Sequence, residues 1–280
     1  MFADNLNNLI LKKRSLLCIG LDTDIEKIPS ILLSELDPLY KFNKAIIEAT
    51  KDFAVAFKLN IAFYESLSIP GWELLERTLS SIPSDVLVIA DAKRADIENT
   101  SQKYAETFLK SYPFDAITVS PYMGYDSVLP FLEYQNKGIF ILCLTSNSGA
   151  QDFQFLKVEK EYLYQNVARK VVEWNFKNGN CGLVVGGTHT DQLKTVREIA
   201  PNLPFLVPGI GRQGGNLELA VKYSTDSEGL SSLIAACRSV IYASSDKEFA
   251  DSARQRAKHL REQINRSVGL YKNPSWLGLN

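Results

Sequence analysis

The stretch VLVIADAKRADIENTSQ, residues 86–102, carries a buried strand and a cluster of charge in one continuous run. Its first part is uniformly apolar rather than alternating, as a strand covered on both faces requires. Asp91 ends the apolar run and Lys93 follows two positions later. If the strand persists that far, both side chains project to the same face. Asp96 comes within reach of the same rim, so two carboxylates surround one ammonium. That setting favours the charged form of the lysine and makes it a proton donor rather than a base.

Similar runs recur outward in both directions: LLCIGLD (16–22), FAVAFKL (53–59), DAITVSP (115–121), GIFILCLT (138–145), CGLVVGG (181–187), PFLVPGI (204–210) and a weaker LIAAC (233–237). Helical spacing fills the gaps, as in Leu163, Val167, Val171 and Trp174, or Phe249, Ala253, Ala257, Leu260 and Ile264. Asp37 before Pro38 reads as an N-cap and first helical position, with Leu39, Phe42 and Ile46 facing inward. Eight strands alternating with helices predict an α/β chain folded as a (β/α)8 TIM barrel. Periodicity does not show closure, so a doubly wound open sheet remains the alternative. No linker or low-complexity tract divides the chain. Residues 1–280 are therefore expected to form a single barrel domain, with 266–280 as a C-terminal tail.

Lys and Arg total 31 against 32 Asp and Glu, so no global field draws the chain to nucleic acid or to an anionic membrane. An anionic ligand must be met locally. The cysteines Cys18, Cys143, Cys181 and Cys237 are widely spaced, form no CxxC pair and read as free thiols in a reducing, cytoplasmic setting. The N-terminal residues lack the basic-then-apolar order of a secretory signal, and no apolar stretch is long enough to span a bilayer.

In such a barrel, chemistry collects at the C-terminal ends of the strands. Those ends are unusually charged here: Asp22 ends the first run, Lys58 the second, Asp91 and Lys93 the third, and Arg238 closes the eighth. A lone Asp–Lys pair would read as a salt bridge stiffening the rim. A whole constellation is different, because buried charge adds little stability and so marks functional sites preferentially. After the seventh run, PGIGRQGGN (208–216) offers glycines and free N–H groups suited to phosphate, which Arg238 can clamp. The loop has neither Walker nor Rossmann spacing. His189 and His259 lie far apart, His259 within a helical pattern, and no histidine pair has metal-ligand spacing. No metal is expected.

The combination Asp91-x-Lys93-x-x-Asp96-Ile97, with Thr100 beyond it, resembles the signature of the orotidine 5'-phosphate decarboxylases. The segments GLDTD around Asp22, FKLN around Lys58, LTSNSGA around Ser146, PGIGRQGG around Pro208 and Gln213, and CRSVIYAS around Arg238 agree in order and spacing. The AKRADI form and the long segment after Asn147 resemble the larger bacterial-type branch. The Arg238 segment reads ACRS where Gly-Arg-Ser is the more familiar form. Magnesium-dependent sugar-phosphate decarboxylases and aldolases share the Asp-x-Lys-x-x-Asp core but not these loops.

The resemblance implies a cofactor-independent carboxy-lyase of pyrimidine biosynthesis, converting orotidine 5'-monophosphate to uridine 5'-monophosphate. It implies that Lys93 protonates C6 and that Asp91 lies near the departing carboxylate. Asp96 and Thr100 would reach the neighbouring active site of a homodimer. Asp22 and Lys58 would bind ribose hydroxyls and complete an alternating Lys-Asp-Lys-Asp network. Ser146 would recognise the pyrimidine edge, while Gln213 and Arg238, with Pro208 and Gly214 in the same loop, would hold the phosphate.

Overall fold

Strands that are apolar on both faces need cover inside and out, and this chain supplies it by closing the sheet on itself. A computed structural model describes residues 1–210 and 216–278. Its barrel strands are β1 (Leu17–Gly20), β2 (Ala56–Asn60), β3 (Leu87–Arg94), β4 (Ala116–Val119), β5 (Gly138–Leu144), β6 (Cys181–Val185), β7 (Phe205–Val207) and β8 (Ser232–Ala236). Each pairs in parallel with its sequence neighbours, and the pairing of Leu17 in β1 with Ile234 in β8 closes the ring. That contact excludes the open sheet.

Upstream of β1, α1 (Phe2–Lys13) is a helix for which the strand-and-helix alternation makes no provision. The eight strands are followed in turn by α2 (Pro38–Thr50), α3 (Ile69–Ser80), α4 (Glu98–Glu106), α5 (Tyr125–Leu132), α6 (Leu163–Asn178), α7 (Thr190–Ile199), α8 (Leu217–Ser224) and α9 (Phe249–Lys272). Helix α1 buries Phe2, Leu6 and Ile10, an i, i+4 stripe, against the N-terminal mouth of the barrel. There the Phe2 ring meets Phe140 edge-on at 5.9 Å between centroids. With that mouth plugged, the C-terminal mouth is left to bind.

Two expectations need correction. Asp37 precedes Pro38 but does not cap α2 through its side chain: a φ of 58° turns the carboxylate away, and it pairs with Arg77 at 3.0 Å. The segment expected as a tail from 266 begins inside α9, because Ser267 and Val268 continue the buried stripe of Phe249, Ala253, Ala257, Leu260 and Ile264. Beyond the helix, Leu277 is buried and Trp276 donates its indole N–H to the Glu228 carbonyl at 3.0 Å, so this end packs rather than dangles. No described helix is long and apolar enough to cross a membrane.

Arg197, near the end of α7, ties the N-terminal mouth together from the other side. It donates to the carbonyls of Ala200 (3.0 Å), Leu203 (2.8 Å) and Ser231 (3.1 Å), and its guanidinium lies 3.6 Å from the centre of the Phe205 ring. Those carbonyls precede β7 and β8, so a single planar fork sets where two strands begin. Arg197→Met strands several of them and should cost on the order of 3 kcal/mol in urea denaturation, with the barrel retained. An unchanged midpoint would show that the fork carries no stability.

Candidate active site

At the C-terminal mouth four side chains line up in alternating charge. Lys58 points into the barrel from the middle of β2, buried, with its Nζ 2.7 Å from Asp91 Oδ2 and 3.7 Å from Asp22 Oδ1. Lys93 Nζ donates to the other Asp91 oxygen, Oδ1, at 2.5 Å. The order is Asp22, Lys58, Asp91, Lys93. Each oxygen of Asp91 therefore meets one ammonium, and Lys93, with 48% of its side chain exposed, is the solvent-exposed end of the row and is not among the residues that line the cavity.

The electrostatics follow from this order. Burial works against the charge of Lys58, but Asp22 and Asp91 outweigh it and raise its affinity for the proton above the usual lysine range. Burial likewise opposes the charge of Asp91, and Lys58 with Lys93 overcomes it, holding that carboxyl well below the usual carboxylate range. Neither charge would be tolerated at this depth alone.

The expectation of a regular strand through Asp91 and Lys93 is not met. The β3–β4 register runs from Ala90↔Ile117 to Arg94↔Val119, so Asp91, Ala92 and Lys93 oppose the single residue Thr118. Lys93 itself has a φ of 48°, the left-handed region, which costs a residue with a Cβ about 1 kcal/mol or more. The two side chains still meet, but through a bulge rather than through the period of two.

The cavity in this mouth is lined by Asp22, Lys58, Asp91, Ser146, Pro208 and Arg238, which brings together most of the expected site. Asp22 Oδ1 is buried and makes no hydrogen bond among the described residues. Its main chain is held by Tyr242, whose hydroxyl donates to the Asp22 carbonyl at 3.2 Å and accepts the Asp24 N–H at 2.8 Å. Ser146 follows β5 and lies so close to Gly186 that a Cβ there would be 2.9 Å from the Ser146 nitrogen. Gly209, after β7, has a φ of 93°. Arg238 opens the short helix Arg238–Ile241 and is exposed beside the cavity. Gln213 and Gly214 lie outside the described residues.

Asp96 and Thr100 are not drawn in. Asp96 accepts the Ile97 N–H at 2.8 Å and, among the described residues, makes no ion pair, while Thr100 is exposed on α4. His189 immediately precedes α7, with its ring edge-on to Phe155 at 5.7 Å, and makes no contact with the charged chain among the described residues. Sequence reasoning misses Thr118 and Tyr242, which have no charge to flag them. It also gives no role to Cys237, which lines the cavity where burial pushes its thiol up to about 12.

Comparison with known proteins places these features in context. Residues 15–253 match the family model described as Orotidine 5'-phosphate decarboxylase / HUMPS family. An orotidine 5'-phosphate decarboxylase from Dehalococcoides mccartyi is 48% identical over 268 residues, 94% of this chain and 97% of that protein. Leishmania donovani OMP decarboxylase is similar in structure, with a TM-score of 0.84 and 39% identity over 95% of this chain and 98% of that one. Leishmania donovani UMP synthase gives a TM-score of 0.85 at 41% identity over 95% of this chain, which spans 56% of that longer protein.

The depressed carboxyl of Asp91 makes a pH prediction. Its stabilisation is complete above the ordinary aspartate range, near pH 4, and is lost as pH falls toward the lowered value. Asp91→Asn should start on the order of 3 kcal/mol less stable at pH 7, yet lose less stability than the wild type between about pH 5 and pH 3. Parallel acid profiles in denaturant titrations would contradict the assignment.

Proposed function

The chain belongs to the orotidine 5'-phosphate decarboxylase / HUMPS family, and from that premise we propose that it converts orotidine 5'-monophosphate to uridine 5'-monophosphate and carbon dioxide, with Lys93 as the proton donor. The observation that carries the reading is the alternating chain Asp22, Lys58, Asp91, Lys93, whose first three members line the same cavity as Pro208 and Arg238.

Breaking the C6–carboxylate bond leaves an electron pair in the plane of the pyrimidine, where no π system absorbs it. A cation fixed at that point before the reaction stabilises the developing charge without having to reorganise. Lys93 Nζ then gives one proton to C6, and the resulting amine recovers it from solvent. Asp91 sets the position of that ammonium. Asp22, whose Oδ1 has no hydrogen-bond partner among the described residues, and Lys58 suit the ribose hydroxyls. Ser146 suits the pyrimidine edge, and Arg238, with Pro208, Gln213 and Gly214, the phosphate. Binding energy from that remote phosphate can raise turnover as well as affinity. Because the cavity's carboxylates face ammonium groups, the reading calls for neither cofactor nor metal.

The reading extends to a homodimer. Asp96 has no cationic partner among the described residues, and Ile97 and Thr100 beside it are exposed. Exposed Tyr122 and Met123, in the loop after β4, add apolar surface. In this arrangement Asp96 and Thr100 complete the site of the partner.

A spectrophotometric assay tests the reaction. With orotidine 5'-monophosphate and excess EDTA, the wild type keeps its full rate, and folded Lys93→Ala loses at least about 10³-fold. Chelator-sensitive turnover would favour a magnesium-dependent sugar-phosphate enzyme, and near-normal turnover of Lys93→Ala would remove the proton-donor role. For the dimer, mixing Lys93→Ala with Asp96→Ala chains restores part of the activity in heterodimers; no recovery would place the whole site within one chain.

A further inference from the structure

The residue opposite the bulge has so far had no role. Thr118 is 1% exposed, with its hydroxyl turned to β3 rather than to a ligand. That hydroxyl accepts the Lys93 backbone N–H at 3.0 Å and donates to Asp91 Oδ1 at 3.0 Å. A hydroxyl offers one proton and two lone pairs, so both bonds are made at once without conflict. The same Oδ1 receives Lys93 Nζ. The Thr118 hydroxyl and the Lys93 ammonium therefore converge on one carboxylate oxygen, and the Lys93 main chain is held by that same hydroxyl.

We propose that Thr118 is a positioning residue for the proton donor: its hydroxyl holds the bulge that turns Lys93 toward the mouth. The proposal rests on the decarboxylase reading above and deepens it. Three residues of β3 face one of β4 at this point, so the ladder is broken there, and it resumes where Ser120 N–H donates to the Arg94 carbonyl at 2.9 Å. Across the gap the Thr118 hydroxyl does the work of a backbone carbonyl for Lys93 N–H. It also fixes Asp91, the only recorded ion-pair partner of Lys93 among the described residues. Without the hydroxyl, Lys93 would be free to leave the left-handed region, and a strand of ordinary register would aim its ammonium elsewhere. Valine has nearly the volume of threonine and no hydroxyl, whereas serine keeps the hydroxyl and drops the methyl.

The test compares Thr118→Val and Thr118→Ser with the wild type, measuring kcat and KM for orotidine 5'-monophosphate, thermal midpoint, and crystal structure. Thr118→Val should lose roughly 10- to 100-fold in kcat with KM changed by less than about 3-fold, because the phosphate end of the site is untouched. Its structure should show Lys93 out of the left-handed region. Thr118→Ser should keep Lys93 in place and stay within about 3-fold of wild-type kcat. Thr118→Val with wild-type kcat overturns the proposal, as does Thr118→Ser falling as far as valine, since packing of the methyl would then be the cause. A wild type that does not decarboxylate the substrate counts against the function instead. The Lys93 φ in the two variant structures then decides the positioning role by itself.

Discussion

Lys58 sits inside the barrel wall with its ammonium shielded from water, and most of the site's geometry follows from what that charge demands. Two carboxylates must come to it, Asp22 from the end of β1 and Asp91 from β3. Asp91 has a second oxygen to satisfy, and it takes Lys93. A charge that would be intolerable alone thus recruits its neighbours in order, until the last member of the row reaches the opening. The exposed end of the row is the one to which the proposal gives the chemistry, and the buried end holds it in place.

The two mouths of the barrel divide the work. At the N-terminal mouth, α1 inserts Phe2 against Phe140 and Arg197 gathers the carbonyls before β7 and β8, which are stabilising devices with no access for a ligand. At the C-terminal mouth the chain gives up stability. There it carries paired buried charge, a left-handed lysine in a strand, and an Asp22 oxygen without a hydrogen bond among the described residues. Strain of this kind persists only where the surroundings over-determine it, and here the surroundings are Thr118, Asp91 and the resumed ladder at Arg94.

Much of this was legible in the residues. The eight apolar runs coincide with the eight strands, because strands buried on both faces must be apolar at every position. Asp22, Asp91, Ser146 and Arg238 stand at or just beyond strand ends, Lys58 lies in the middle of β2 rather than at its end, and the barrel converts that placement into one cavity. The bulge was not legible. Thr118 is an unremarkable strand residue by composition, and only the pairing register shows three residues facing it. Closure was equally hidden, since the β1–β8 contact joins residues more than 200 positions apart. The Asp37 cap was misread because its neighbour Arg77 comes from another helix. Asp96 accepts only the Ile97 N–H among the described residues and makes no ion pair there.

The account turns on where the Lys93 ammonium lies relative to the reacting carbon. The most direct measurement is a crystal structure of the protein with uridine 5'-monophosphate bound. The account predicts Lys93 Nζ at about 3 Å from C6 of the pyrimidine, still bonded to Asp91, with the phosphate at Arg238. A nucleotide seated with C6 more than about 5 Å from Lys93, or with that ammonium turned into solvent, would contradict it.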